Sequence, residues 1–383
     1  MKKGRIEMPT DSSKRQSNLE LLRIISMIMI IALHFLGHGG VLEHALPDSR
    51  AYYFYWFLEA LSFVSVNVFV LLGAYFLCET SFNSKRIMNI WATVLFYSVG
   101  IFILILLFRR PENVLLSLYQ AFTPVFSNQY WFATKYIGVL LFSPFMNILI
   151  RQLSRKAHLA LLVISILLFA VIPFLFPLSE VMKVSNGFGL VWFVTLYFTG
   201  AYLRKYSSAG IPRLASLPAY IIACSVLPVS LFVIRKISKY MMDMGGILPI
   251  DLKITDTFLY EYNSFFVYLG SIFLFLFFLR VRVPKRMGKV IHFFAPLSFG
   301  VYLIHDNYLI RPLLWEKLAI WQYVGNPFIL VVIMILTTTG IYVIASLVEC
   351  LRLFLFRILH ISSLIDRVAE IVNQRINIDK KDK

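Results

Sequence analysis

Ten apolar runs of about the length that crosses a bilayer core follow one another along the chain. They cover residues 19–37, 60–78, 90–108, 131–150, 159–177, 187–203, 216–234, 262–280, 293–311 and 326–348. In lipid a backbone must satisfy its own hydrogen bonds, and runs of this length do so as helices. The expected fold is therefore all-α: a polytopic membrane protein of about ten transmembrane helices. The 59% hydrophobic content and mean hydropathy of +0.76 exceed what a soluble core needs. The net charge of +17 does not point to nucleic acid, because the basic residues cluster beside the runs, where membrane topology places them.

An even number of spans puts both termini on one side. Of the 37 Lys and Arg residues, 25 fall in the segments on the side of the termini and 9 on the opposite side. The positive-inside bias then expects both termini in the cytoplasm and a multi-pass protein of the plasma membrane. The chain divides into a basic N-terminal segment (1–18), a transmembrane domain (19–348) and an amphipathic, basic tail (349–383) expected to lie on the cytoplasmic surface. The first run has a basic leader but no small-residue cleavage site and is read as retained. The run 159–177 ends in two prolines and 187–203 is short, so losing both would leave eight spans with the termini unmoved. Tyr52–Leu58 (YYFYWFL) is too short to cross and is expected as an interfacial aromatic belt.

The first run, LELLRIISMIMIIALHFLG, carries Arg23 and His34. Eleven residues turn a helix through about 1100°, within about 20° of the starting direction, so both side chains share one face. They stand about 16 Å apart along the axis. Buried charge at such depth usually faces a bundle interior or a wet cavity. A helix-satisfied histidine and a snorkelling arginine are the alternatives for any such pair.

Three further segments carry polar residues. SFGVYLIHDNYLIR places Tyr302 one turn before His305, with Asp306 and Asn307 beside it; an interface-anchoring helix end is the alternative. SVNVFVLLGAYFLCET holds Asn67 as a possible hydrogen-bonding residue, while Gly73 and Ala74 suit close helix packing. Lys85 and Arg86 form a basic pair that could attract phosphate or simply mark topology. Cys78, Cys224 and Cys350 show neither metal-ligand spacing nor a disulfide framework, so no metal site is assigned. No phosphate-binding glycine loop, GxSxG elbow or HExxH motif is present. Two classes fit these residues: a membrane-embedded transferase, and a transporter or flippase for a glycan intermediate or small solute.

At these residues the chain resembles the acyltransferase-3 family of integral-membrane acyltransferases. The family signature is an Arg, ten residues and a His in the first span, and Arg23 to His34 (RIISMIMIIALH) matches it. VNVFVLLGAYFL, YWFATKYIGVLLFSPFMN and SFGVYLIHDNYL resemble further family segments in family order. Two departures stand out. Gly73-Ala74 occupies the place of a Ser-Gly pair, and a paired-arginine motif after the second span is reduced to KRIMN, leaving Arg86. The resemblance implies acetyl-CoA, or another acyl-CoA, as a cytoplasmic donor rather than a permanently bound cofactor. It implies a hydroxyl of an envelope glycan or lipid-linked sugar as acceptor. It implies His34 as the catalytic residue, with Arg23 its essential partner on the CoA side and Arg86 a second donor contact. Tyr302, His305 and Asn67 are then expected toward the acceptor. Some family members carry a fused extracellular domain that completes transfer; here the corresponding expectation is that the chain acts alone or that a separate extracellular protein takes over.

Overall fold

The computed structural model describes residues 16–109, 111–176, 184–207, 213–243 and 257–376. Residues 1–15, 110, 177–183, 208–212, 244–256 and 377–383 lie outside the described residues. Among the described residues there is no strand. The α-helices are α1 (Ser17–Leu36), α2 (Val41–His44), α3 (Arg50–Phe63), α4 (Ser65–Leu77), α5 (Ser84–Phe108), α6 (Val114–Phe122), α7 (Trp131–Gln152), α8 (Arg155–Ile166) and α9 (Ile172–Leu175). They continue as α10 (Leu190–Tyr206), α11 (Arg213–Asp243), α12 (Phe265–Leu279), α13 (Lys285–Phe294), α14 (Ser298–His305), α15 (Ile310–Leu318), α16 (Pro327–Ile358) and α17 (Ile361–Arg375).

Among the described residues each apolar run falls mainly on helix, though the run 293–311 breaks at 306–309 between α14 and α15. Among the described residues eight helical segments are long and apolar enough to cross a membrane, which makes the chain an all-α polytopic membrane protein. The run 159–177 is among them: α8 passes through a π-helical turn at Leu167–Val171 into α9, a continuous segment Arg155–Leu175. Helices α10 and α12 are shorter, at 17 and 15 residues. At 1.5 Å per residue they rise about 25 and 22 Å, less than a full hydrocarbon core.

Tyr52–Leu58 is not a surface belt. It is the first half of a helical segment, Arg50–Leu77, interrupted only at Val64. The Ser49 hydroxyl caps it, accepting from the Tyr52 N–H at 3.0 Å. Tyr52 and Tyr55 are buried, and the Tyr55 hydroxyl donates to the Val324 carbonyl at 2.7 Å. Tyr52 and Tyr55 are therefore core, while Phe54 on the same helix is exposed.

α1 is the axis of the bundle. It packs against α3, α4, α12, α13, α14 and α16. Its C-terminus leaves the helix through Gly37 to Gly40, where Gly40 takes φ 76°, a left-handed conformation that favours glycine. α4 packs closely on α10 at Gly200. A Cβ there would lie 2.7 Å from the Ala74 Cβ and 2.8 Å from the Leu71 carbonyl oxygen. Gly200→Val is accordingly expected to destabilise the bundle by about 1–3 kcal/mol through overpacking, seen as a lowered melting temperature of purified protein.

The C-terminal tail behaves as its pattern predicts in part. α16 runs unbroken to Ile358, past position 348, and His360 at φ 56° turns the chain into the amphipathic α17. α17 docks on the start of α5: the Asn373 side-chain oxygen accepts from the Ser84 N–H at 2.9 Å, and Lys85 pairs with Asp366 at 2.5 Å. Of the basic pair, Lys85 is thus engaged with the tail. Where α5, α14 and α16 meet, Glu349 and Arg352 are both buried and form two hydrogen bonds, of 2.9 and 2.6 Å. The Tyr97 hydroxyl adds a third, to Glu349 at 2.6 Å, and Gly300 leaves room for the carboxylate.

Candidate functional site

The polar stripe of α1 faces inward. Met27, Ile30 and His34 line a cavity of about 60 Å³ together with Val66 and Phe69 of α4, Trp131 and Phe132 of α7, Tyr262, and Phe299, Tyr302 and Asp306. The spacing 23, 27, 30, 34 is that of one helix face. The cavity therefore lies on the Arg23–His34 face, at the His34 end.

Three hydrogen-bonding groups fix the protonation of that end. The Val301 carbonyl oxygen can only accept, so the 2.6 Å contact to His305 assigns the proton to His305 Nδ1. His305 Nε2 then carries a lone pair and accepts from His34 Nδ1 at 3.0 Å. In neutral imidazole this leaves the lone pair of His34 on Nε2. His34 is therefore oriented as a proton acceptor. His305, 1% exposed, stands behind it rather than in the cavity wall.

Asp306 and Arg311 complete this end. Asp306 Oδ1 lies 3.8 Å from His34 Nδ1 and 3.1 Å from Arg311 Nη1. His38, one helical turn beyond His34, is held below the usual histidine value by partial burial and Arg311, against the pull of Asp306. Its ring centre is 5.1 Å from that of His34. Tyr302 lines the cavity, and its buried hydroxyl makes no hydrogen bond of ordinary geometry among the described residues.

The other end is cationic. Arg23 Nη1 pairs with Glu20 at 2.9 Å; Glu20 is buried, while a quarter of the Arg23 side chain remains exposed. Arg86 is positioned through a relay. The Asn147 side-chain amide donates to the carbonyls of Leu77 and Thr80, fixing the turn after α4. The Thr80 hydroxyl in that turn accepts from Arg86 Nη1 at 2.8 Å. Arg23 and Arg86 both lie within electrostatic reach of the Tyr136 hydroxyl. That hydroxyl lies against Gly73, where a Cβ would come 2.5 Å from it. A serine at position 73 would displace Tyr136.

Asn67 belongs to the scaffold. It is fully buried, its amide donating to the Tyr262 carbonyl at 2.8 Å and its oxygen accepting from Trp192 Nε1 at 3.2 Å. It is not in the cavity wall. Asn307 is likewise structural, donating to the Tyr130 hydroxyl at 2.6 Å. The structure thus brings Tyr302, His305 and His34 together, sets Arg23 and Arg86 at the other end, and leaves Asn67 outside. Sequence reasoning missed His38 and Arg311, and did not see Glu20 as the partner of Arg23. Their signals were an i+4 spacing from His34, a five-residue spacing from Asp306 and an i−3 spacing from Arg23.

A family model described as an acyltransferase domain, Acyl_transf_3, matches residues 16–346. No curated protein and no solved structure matches the chain.

Proposed function

The chain belongs to the acyltransferase-3 family of membrane acyltransferases, and from that premise we propose that it moves an acetyl group from acetyl-CoA to a sugar hydroxyl of an envelope glycan or its lipid-linked precursor. The observation that carries the reading is the hydrogen-bond series from Val301 through His305 to His34, which leaves His34 Nε2 as the base at a small cavity.

The proposed step is balanced without a further reactant. His34 Nε2 takes the proton of the acceptor hydroxyl as its oxygen attacks the thioester carbon. The carbon–oxygen bond forms, the tetrahedral intermediate collapses, and the carbon–sulfur bond breaks. The proton on the imidazolium leaves with the CoA thiolate. Tyr302, whose hydroxyl makes no hydrogen bond of ordinary geometry among the described residues, is the donor available to the reacting oxygens. CoA is anionic, and Arg23 and Arg86 are the cations at the far end of the path, Arg23 about 16 Å from His34 by helix rise. The bias of basic residues supports an Arg23 end facing the cytoplasm, where acyl-CoA is found, in the plasma membrane.

His305 acts through His34 as a positioning residue. His305→Phe is expected to lower kcat by about 10²-fold with the donor KM unchanged, because the tautomer of His34 is no longer fixed. His305→Gln, which retains an acceptor, is expected to recover part of the loss.

The test uses purified protein in nanodiscs with radiolabelled acetyl-CoA and a soluble oligosaccharide acceptor. Thiol release matched by labelled, alkali-labile ester on the sugar supports the reading. Folded protein that moves glycan across a membrane without consuming thioester would replace it with a transporter.

A further inference from the structure

We propose that His34, His38 and Asp306 form a zinc-type divalent cation site whose occupation switches off the base. The inhibition rests on the function proposed above; the binding does not.

The sequence alone offered no metal set because the third ligand is 268 positions beyond His38. The fold closes that gap. One ligand atom from each of His34, His38 and Asp306 can be chosen so that all three lie within 4.8 Å of one another. Two imidazoles and a carboxylate, with a fourth position open, are a donor set that zinc accepts. Calcium and magnesium favour all-oxygen shells and are poorly served here. Tetrahedral bonds of about 2.1 Å place ligand atoms about 3.4 Å apart, so the site must tighten on binding. His38 has the freedom to do so: it follows the last turn of α1 and is exposed. Asp306 is already charge-compensated by Arg311, whose side chain is 36% exposed and can turn to water when a cation takes its place.

The consequence for catalysis follows from lone pairs. A neutral imidazole has one. If the cation binds His34 Nε2, that lone pair is occupied. If it binds Nδ1, the ring proton must sit on Nε2, and the hydrogen bond to His305 is lost. Either way His34 no longer accepts a proton from an acceptor hydroxyl. His38 is the member of the set with no part in the transfer step, so it separates regulation from chemistry.

The experiment uses the full chain in nanodiscs, stripped with chelator. Co²⁺ is titrated in and the visible absorption of tetrahedral cobalt recorded, with Zn²⁺ then added to displace it. Acetyl transfer is measured in parallel with and without Zn²⁺, for the unaltered protein and His38→Ala. The expected result is a cobalt band that Zn²⁺ removes and that His38→Ala lacks. With each protein referred to its own metal-free rate, half-inhibition by Zn²⁺ should need at least about tenfold more metal in His38→Ala. A missing cobalt band, or equal zinc sensitivity in both proteins, overturns the site. Activity that chelator abolishes and Zn²⁺ restores overturns the inhibitory role. A protein that shows the cobalt band but no transfer keeps the site and removes the function proposed above.

Discussion

His34→Gln is expected to lower acyl transfer by about 10²- to 10⁴-fold, the range a positioned proton acceptor contributes. Gln is close to His in length and carries N–H donors that can reach His305, so the pocket retains its shape while the base is removed. The loss should fall on kcat. Donor binding, governed by the cationic end about 16 Å away, should change less than about threefold. Arg23→Ala should show the opposite pattern, a raised KM for acyl-CoA with a smaller change in kcat, and the gap from the unaltered protein should narrow at high salt, which screens the attraction that Arg23 supplies. Initial rates over a range of donor concentration separate the two. A His34→Gln protein that is inserted, folded and fully active would remove His34 from the chemistry.

Arg352→Leu is expected to be the most destabilising single change in the bundle. It leaves the Glu349 carboxylate, 4% exposed, without its two guanidinium hydrogen bonds. Removing one member of a buried ion pair costs about 3–5 kcal/mol, a large share of the roughly 5–15 kcal/mol that holds a protein folded. It also removes the guanidinium stacked 4.5 Å above the Phe356 ring. The double variant Glu349→Leu/Arg352→Met should recover most of the loss, since an apolar replacement leaves no charge to desolvate. Melting temperature and the monodisperse fraction after detergent extraction report both. Equal damage in the single and double variants would mean that the pair matters for shape and not for charge.

These two sites differ in how far the sequence revealed them. Arg23 and His34 were legible because a helix repeats every 3.6 residues, and both lie on one helix. The ten apolar runs were legible for the same local reason, as was the amphipathic α17. Glu349 and Arg352 were not: they lie past position 348, where the apolar run ends, and read as tail. In the structure α16 continues, and its polar residues turn inward to meet Tyr97 of α5. Tyr52–Leu58 was misread because length measured over the aromatic run alone hid its continuity with the next helix. The partner of His34 was hidden by distance, since His305 is 271 positions away. Asn67 drew attention as a polar residue in an apolar helix, and its two hydrogen bonds account for it without a ligand.

The central claim is that the thioester carbon of a donor anchored near Arg23 comes to His34. CoA carrying a bromoacetyl group tests it directly, because its electrophilic carbon sits next to where the acyl carbon would be. Incubation followed by peptide mass analysis should give a single adduct on His34, blocked by excess acetyl-CoA and slowed in Arg23→Ala. Alkylation confined to other residues such as Cys78, or an adduct on His34 that acetyl-CoA fails to block, would contradict the account.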